Sequence, residues 1–187
     1  MLALAFALAA FPALADVSSP TPAPLLIADE MRITAYTTGY SYWDNTPPGS
    51  ADISNGVIHT KAGGVGTFDD PITVAVGHVI SGDSDTLDYA AGTKFYVPNL
   101  RRYFIVEDSC GGGDTPQNGP CHTGYEGHPW IDLYVDGANA SKETSDACMD
   151  AITELHLVIV NPAPNYAVVP GPITNNCTQY GETVVTR

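Results

Sequence analysis

The stretch Val106-Glu107-Asp108-Ser109-Cys110-Gly111-Gly112-Gly113, followed after a Gly/Pro-rich connection by Trp130-Ile131-Asp132-Leu133-Tyr134-Val135, decides the fold of this chain. Both ends of the segment 102–136 are β-branched and aromatic and read as strands. In the second run the side chains alternate. Ile131, Leu133 and Val135 form a core face, and Trp130, Asp132 and Tyr134 form the opposite one. That opposite face sets a carboxylate between two aromatic rings, an arrangement suited to a sugar-binding groove. The first run ends in Asp108 as the chain enters a glycine turn. Two carboxylates carried on strands are the leading chemical feature.

Working outward, Lys94-Phe95-Tyr96-Val97 and Tyr103-Phe104-Ile105-Val106 form a strand pair joined through Pro98-Asn99-Leu100-Arg101, and residues 155–160 give an apolar run that ends at Asn161-Pro162. Residues 31–37, 56–59 and 72–76 read as further strands. The one helical pattern covers 143–154, where Ala147, Met149, Ala151 and Ile152 share an apolar face. The glycine-rich 62–67 lacks a Gly-Lys-Ser/Thr ending and a following helix, so it is not a phosphate loop. The acidic segment with Asp83, Asp85 and Asp88 reads as a mobile connection, without the alternate spacing of a calcium loop. Short strands, glycine turns and one short helix make an all-β chain, expected to close as a small barrel with long loops.

The 187 residues suffice for one domain. The apolar run 2–15 ends in Ala-Leu-Ala and reads as a signal peptide cleaved after Ala15. A flexible Pro/Ser/Thr/Ala-rich leader follows over 16–30, then a barrel domain over 31–161 and a tail over 162–187. Secretion makes Cys110, Cys121, Cys148 and Cys177 two disulfides rather than a metal site, since no Cys-x-x-Cys pair exists. Three pairings are open. Cys110–Cys121 with Cys148–Cys177 is preferred because the first closes the Gly/Pro loop locally. Asn139 and Asn176 head glycosylation sequons. Seven basic against 21 acidic side chains leave a net charge of −14, the wrong sign for nucleic acid or an anionic membrane surface. A neutral polysaccharide is a compatible partner, and a monomer is expected.

The loop 40–55 gathers Tyr40, Tyr42 and Trp43, either as a glycan platform or as a small cluster packed beneath the loop. His122 and His128 lack a short metal-ligand spacing, and no metal or other cofactor is called for. His156 lies in an apolar strand and reads as a satisfied core residue. Ser109 sits in no nucleophile elbow. Asp108 and Asp132 read either as an acid/base pair or as aspartates that cap turns through backbone N–H groups.

Thr34-Ala35-Tyr36, Ala91-Gly92-Thr93-Lys94-Phe95-Tyr96-Val97, Val106-Glu107-Asp108-Ser109-Cys110-Gly111-Gly112 and Trp130-Ile131-Asp132-Leu133-Tyr134 resemble, in this order, the motifs of double-psi β-barrels. The resemblance covers residues 31–161. It is nearest to the three-aspartate (3D) domain shared with membrane-bound lytic transglycosylase A, and rare lipoprotein A, family 45 endoglucanases and expansins are relatives of that barrel. It implies a six-stranded double-psi β-barrel with Asp132 as acid/base and Asp108 as its partner. Two positions depart from the family pattern: Gly77 stands where the first aspartate belongs, and Thr38 where a family 45 enzyme carries its base. The function implied is that of a secreted protein cleaving a β-linked cell-wall glycan, with Tyr36, Tyr42, Trp43, Trp130 and Tyr134 binding the substrate. An expansin-like binding protein and a barwin-like defence protein are the rival readings.

Overall fold

The computed structural model describes residues 29–173 and 177–187. The expected signal peptide, most of the leader, and Asn176 lie outside the described residues. Six strands close a barrel: β1 (Met31–Ser41), β2 (Ile72–Val76), β5 (Lys94–Val97), β6 (Arg102–Ser109), β7 (Trp130–Val135) and β8 (Glu154–Val160). Around the barrel the order is β1-β7-β2-β6-β5-β8. β1 runs parallel to β7 and β2 parallel to β6, and the remaining neighbours are antiparallel. Two strands stand apart: β3 (His78–Ser81) and β4 (Ser84–Leu87) pair as a hairpin. The acidic segment read as a mobile connection is therefore ordered, with Asp85 of β4 2.7 Å from the Nδ1 atom of His78.

Alternation within each strand separates an inner from an outer face. Ile72, Val74, Val76, Phe95, Phe104, Val106, Ile131, Leu133, Val135, Val158 and Val160 fill the interior and are buried, as period-two apolar runs on a closing sheet should be. The helix α2 (Lys142–Ala151) packs here too, against β1. Its N-terminus is capped by Ser141, whose hydroxyl accepts from the Thr144 N–H. Thr37 donates its hydroxyl to the Ile152 carbonyl at 2.6 Å. A Cβ on Gly39 would lie 2.8 Å from Met149 Cγ, so this close approach of helix to strand needs glycine.

The outer face is covered in part by the C-terminal segment. Tyr96, Tyr103 and Ile159 are buried beneath Tyr166, whose ring stacks on Tyr96 at 4.8 Å. Tyr103 donates its hydroxyl to the Ala163 carbonyl and accepts from the Tyr166 N–H, while Tyr96 donates to the Ala167 carbonyl. Disulfides join Cys110 to Cys121 and Cys148 to Cys177, the pairing preferred from the sequence. The first holds α1 (Pro120–Thr123), a one-turn helix additional to the one expected, against the end of β6. Among the described residues no helix is long and apolar enough to cross a membrane.

Residues 56–59 are not a strand, contrary to the reading of their β-branched composition. The N–H groups of Val57, Ile58 and His59 turn together onto Oε1 of Glu107 at 2.7–3.0 Å. Converging on one carboxylate satisfies three donors that a sheet ladder would otherwise have to pair.

Candidate functional site

A β-bulge builds the site. Along the β2/β6 pair, Val74 lies opposite Val106 but Ala75 lies opposite Asp108, so Glu107 is the extra residue. The bulge suspends alternation and sends two consecutive acidic side chains to the outer face. Glu107 is fully buried there, bonded to the 57–59 turn, to His59 Nδ1 at 2.6 Å and to the Thr73 hydroxyl. His59 reaches Asp70 through its other nitrogen at 2.9 Å. Burial alone would raise the Glu107 pKa, but the donors aimed at it hold the carboxyl below its ordinary value.

On the other side of β2, Ala75 pairs with Asp132 of β7, and Asp132 pairs with Thr38 of β1. Thr38, Asp132, Ala75 and Asp108 thus form one row across four adjacent strands. Two strand spacings, about 9–10 Å, separate the backbones of the aspartates. Both border a cavity of about 490 Å³ whose wall also includes Tyr40, Asp44 and Ser54 and whose edge is Cys110-Gly111-Gly112.

The two carboxylates are not equivalent. Asp108 is buried and fully engaged. Its Oδ1 accepts from the Ser54 N–H, the Ser54 hydroxyl and the Ser109 N–H at 2.8–3.0 Å, and its Oδ2 accepts from the Tyr40 hydroxyl at 3.1 Å. This is the turn-capping geometry. Asp132 accepts one short bond, 2.6 Å from the Thr38 hydroxyl to Oδ1. That hydroxyl in turn accepts from the Trp130 indole N–H at 2.8 Å. With its lone pair facing the indole, Thr38 directs its single proton to Asp132, which leaves Oδ2 to carry the carboxyl proton. Burial pushes the Asp132 pKa up to about 7; the Thr38 bond works against the rise, and the negative charges of Asp44 and Asp108 add to it. Such a carboxyl exchanges a proton near neutral pH. The bonds of Asp108 tie the Ser54 loop and Tyr40 to the end of β6.

Of the expected aromatics, Tyr134 is corrected: it is buried under Tyr40, ring to ring at 5.3 Å, and reaches no groove. Tyr42 and Trp43 pack edge to face at 5.5 Å, and the Trp43 indole donates to the Ala140 carbonyl. Neither borders the cavity, and both are half-buried. Tyr36 and Trp130 meet at 4.7 Å on the far side of Thr38. Asn139 is exposed. His156 is buried and bonded to Glu182 at 2.7 Å. Among the described residues no group of His, Cys, Asp and Glu is arranged to hold a metal ion. The sequence reading did not single out Asp44, Ser54 or Glu107. Only Glu107 carried a signal, as a carboxylate inside an apolar strand, where an unpaired charge is not tolerated.

Fold and site together define a disulfide-stapled six-stranded barrel with an acidic cavity across β1, β7, β2 and β6. The chain belongs to the DDB_G0273701 N-terminal domain family, which it matches over residues 32–181. A Dictyostelium discoideum relative, uncharacterized protein DDB_G0273701/DDB_G0273221, is 30% identical over 151 residues, covering 80% of this chain. The chain spans 60% of that relative's length. No solved structure matches.

Proposed function

We propose that this protein is secreted and acts on a β-linked cell-wall polysaccharide, with Asp132 as both acid and base. The observation that carries the proposal is Asp132 itself, a carboxyl group lifted to a pKa of about 7 on the wall of an open cavity. Its protonated Oδ2 would deliver a proton to the leaving glycosidic oxygen, and the carboxylate so formed would then take a proton from a sugar hydroxyl that closes on the anomeric carbon. The chain is cut without water, and the product is an internal anhydro sugar. A two-carboxylate hydrolase needs a second available group placed to activate water or attack the sugar. Asp108 is consumed by four hydrogen bonds, which favours the one-carboxyl route.

The parallel pairs β1/β7 and β2/β6, each made by strands remote in sequence, support reading the barrel as double-psi. The two disulfides support an oxidising destination. Incubation with purified peptidoglycan, cellulose, mixed β-glucan and chitin, with mass spectrometry of the soluble products, tests the proposal. Anhydro-ended fragments are expected, and they should vanish with Asp132→Asn. Ordinary reducing ends would overturn the mechanism. Binding to a wall without release of any fragment would leave the expansin-like reading.

A further inference from the structure

We propose that the cleft between α1 and the start of β7 is a second carbohydrate subsite, which receives the sugars adjoining the one held at Asp132. The inference rests on the glycan reading above and extends it from a reacting bond to a bound chain. The cleft encloses about 410 Å³ and is bordered by Asp88, Tyr89, His122, His128 and Trp130. Its wall approaches that of the first cavity at two places. Trp130 and Asp132 project from the same face of β7 two residues apart, about 7 Å along the strand. Cys110 edges one cavity and its disulfide partner Cys121 the other, with Cα atoms 5.7 Å apart.

Between Gly124 and Gly127 of the cleft wall the chain carries an aromatic platform. Tyr125 stacks on Tyr36 at 4.2 Å and 24° and remains 40% exposed. Tyr125 and His128 exchange backbone hydrogen bonds of 2.9 and 2.8 Å around Glu126 and Gly127, both in the left-handed region. That two-residue turn holds the platform rigidly, so a ligand would order little on arrival. In the cleft wall, Asp88 orients the His122 ring through Nδ1 at 2.6 Å and leaves Nε2 for a hydroxyl. A supported, half-exposed ring and an oriented imidazole suit the C–H face and hydroxyl edge of a pyranose. The net charge of −14 selects a neutral glycan over an anionic one.

The test is calorimetric titration with β-1,4-linked glucose and N-acetylglucosamine oligosaccharides of increasing length, together with NMR of the histidine ring and aspartate carboxyl resonances. Affinity should rise roughly tenfold between the shortest and longest chains, the size of one good aromatic contact. Tyr125→Ala should remove that rise and leave the shortest ligand unaffected. In the unaltered protein the long chain should shift His122 as well as Asp132, so a variant that folds poorly does not leave the question open. Length-independent affinity with Asp132 shifted and His122 silent would overturn the subsite and leave the glycan reading standing. His122 shifted with Asp132 silent would support the subsite and overturn the role given to Asp132. No response to any oligosaccharide would overturn both.

Discussion

The difference between Asp108 and Asp132 is one of hydrogen-bond supply. Four donors stabilise one carboxylate; a single hydroxyl serves the other against its burial. Two predictions belong to this scale. Thr38→Val removes the donor and keeps the shape, so the Asp132 pKa should climb above about 7, while Thr38→Ser should restore it. Carbon-13 NMR titration of the carboxyl group reads this directly, and an unchanged midpoint in Thr38→Val would refute the assigned bond. The second concerns stability. The Asp132 pKa is raised above its unfolded value of about 3.9, so the folded state holds the proton more tightly. The stability that this proton confers is full below pH about 4 and is lost as pH rises through about 7. Asp132→Asn has no proton to lose. Its melting temperature should match the parent near pH 4 and exceed it above pH 8, by the equivalent of at most about 4 kcal/mol. A variant less stable than the parent at pH 8 would contradict the reading.

At the scale of elements, the bulge in β6 converts an alternating strand into one that supports a loop and a cavity together. Glu107 is the tie between that strand and the 57–59 turn. Glu107→Gln keeps the size but offers an amide N–H₂ where only acceptors are wanted. It should destabilise the fold by about 3–5 kcal/mol, the range for breaking a buried charged pair. Urea denaturation measures it, and a loss below about 1 kcal/mol would show the turn to be held by other contacts. The same element marks where sequence reading stopped. The strands at 72–76, 94–97, 103–106 and 130–135, the helix near 143–154, the closed barrel and both disulfides were legible, because period-two burial and cysteine economy act locally. The burial of Tyr134 was not legible. An alternating strand distinguishes two faces, but here the outer face is itself covered, by Tyr40, from a strand ninety-odd residues away. Nor was the 56–59 turn, whose β-branched residues are overruled by a carboxylate about fifty residues distant. Asp44 and Ser54 sit in a loop whose path is set by tertiary bonds, and nothing in their spacing announces the cavity they border.

At the scale of the molecule, the C-terminal segment is part of the fold. It buries the outer ring cluster of Tyr96 and Tyr103, and Cys177 ties it to α2. A chain ending at residue 161 should expose those rings, lose one disulfide and melt well below the full chain. The disulfide alone accounts for about 2–4 kcal/mol. Enhanced binding of a hydrophobic dye by the truncated chain would confirm the exposure, and an unchanged melting temperature would refute it. Because β1 pairs with β7 and β8 across most of the chain length, the barrel closes only after long loops have been ordered, which places its folding among the slower topologies.

Gly77 leaves no room for a side chain beside α1. A Cβ built there would overlap the Asp88 carboxylate and the carbonyl of Cys121. An aspartate at 77 and a disulfide-held α1 are therefore alternatives that one backbone cannot hold together. Substituting aspartate there should displace the helix, since the new side chain and the Cys110–Cys121 clasp claim the same space.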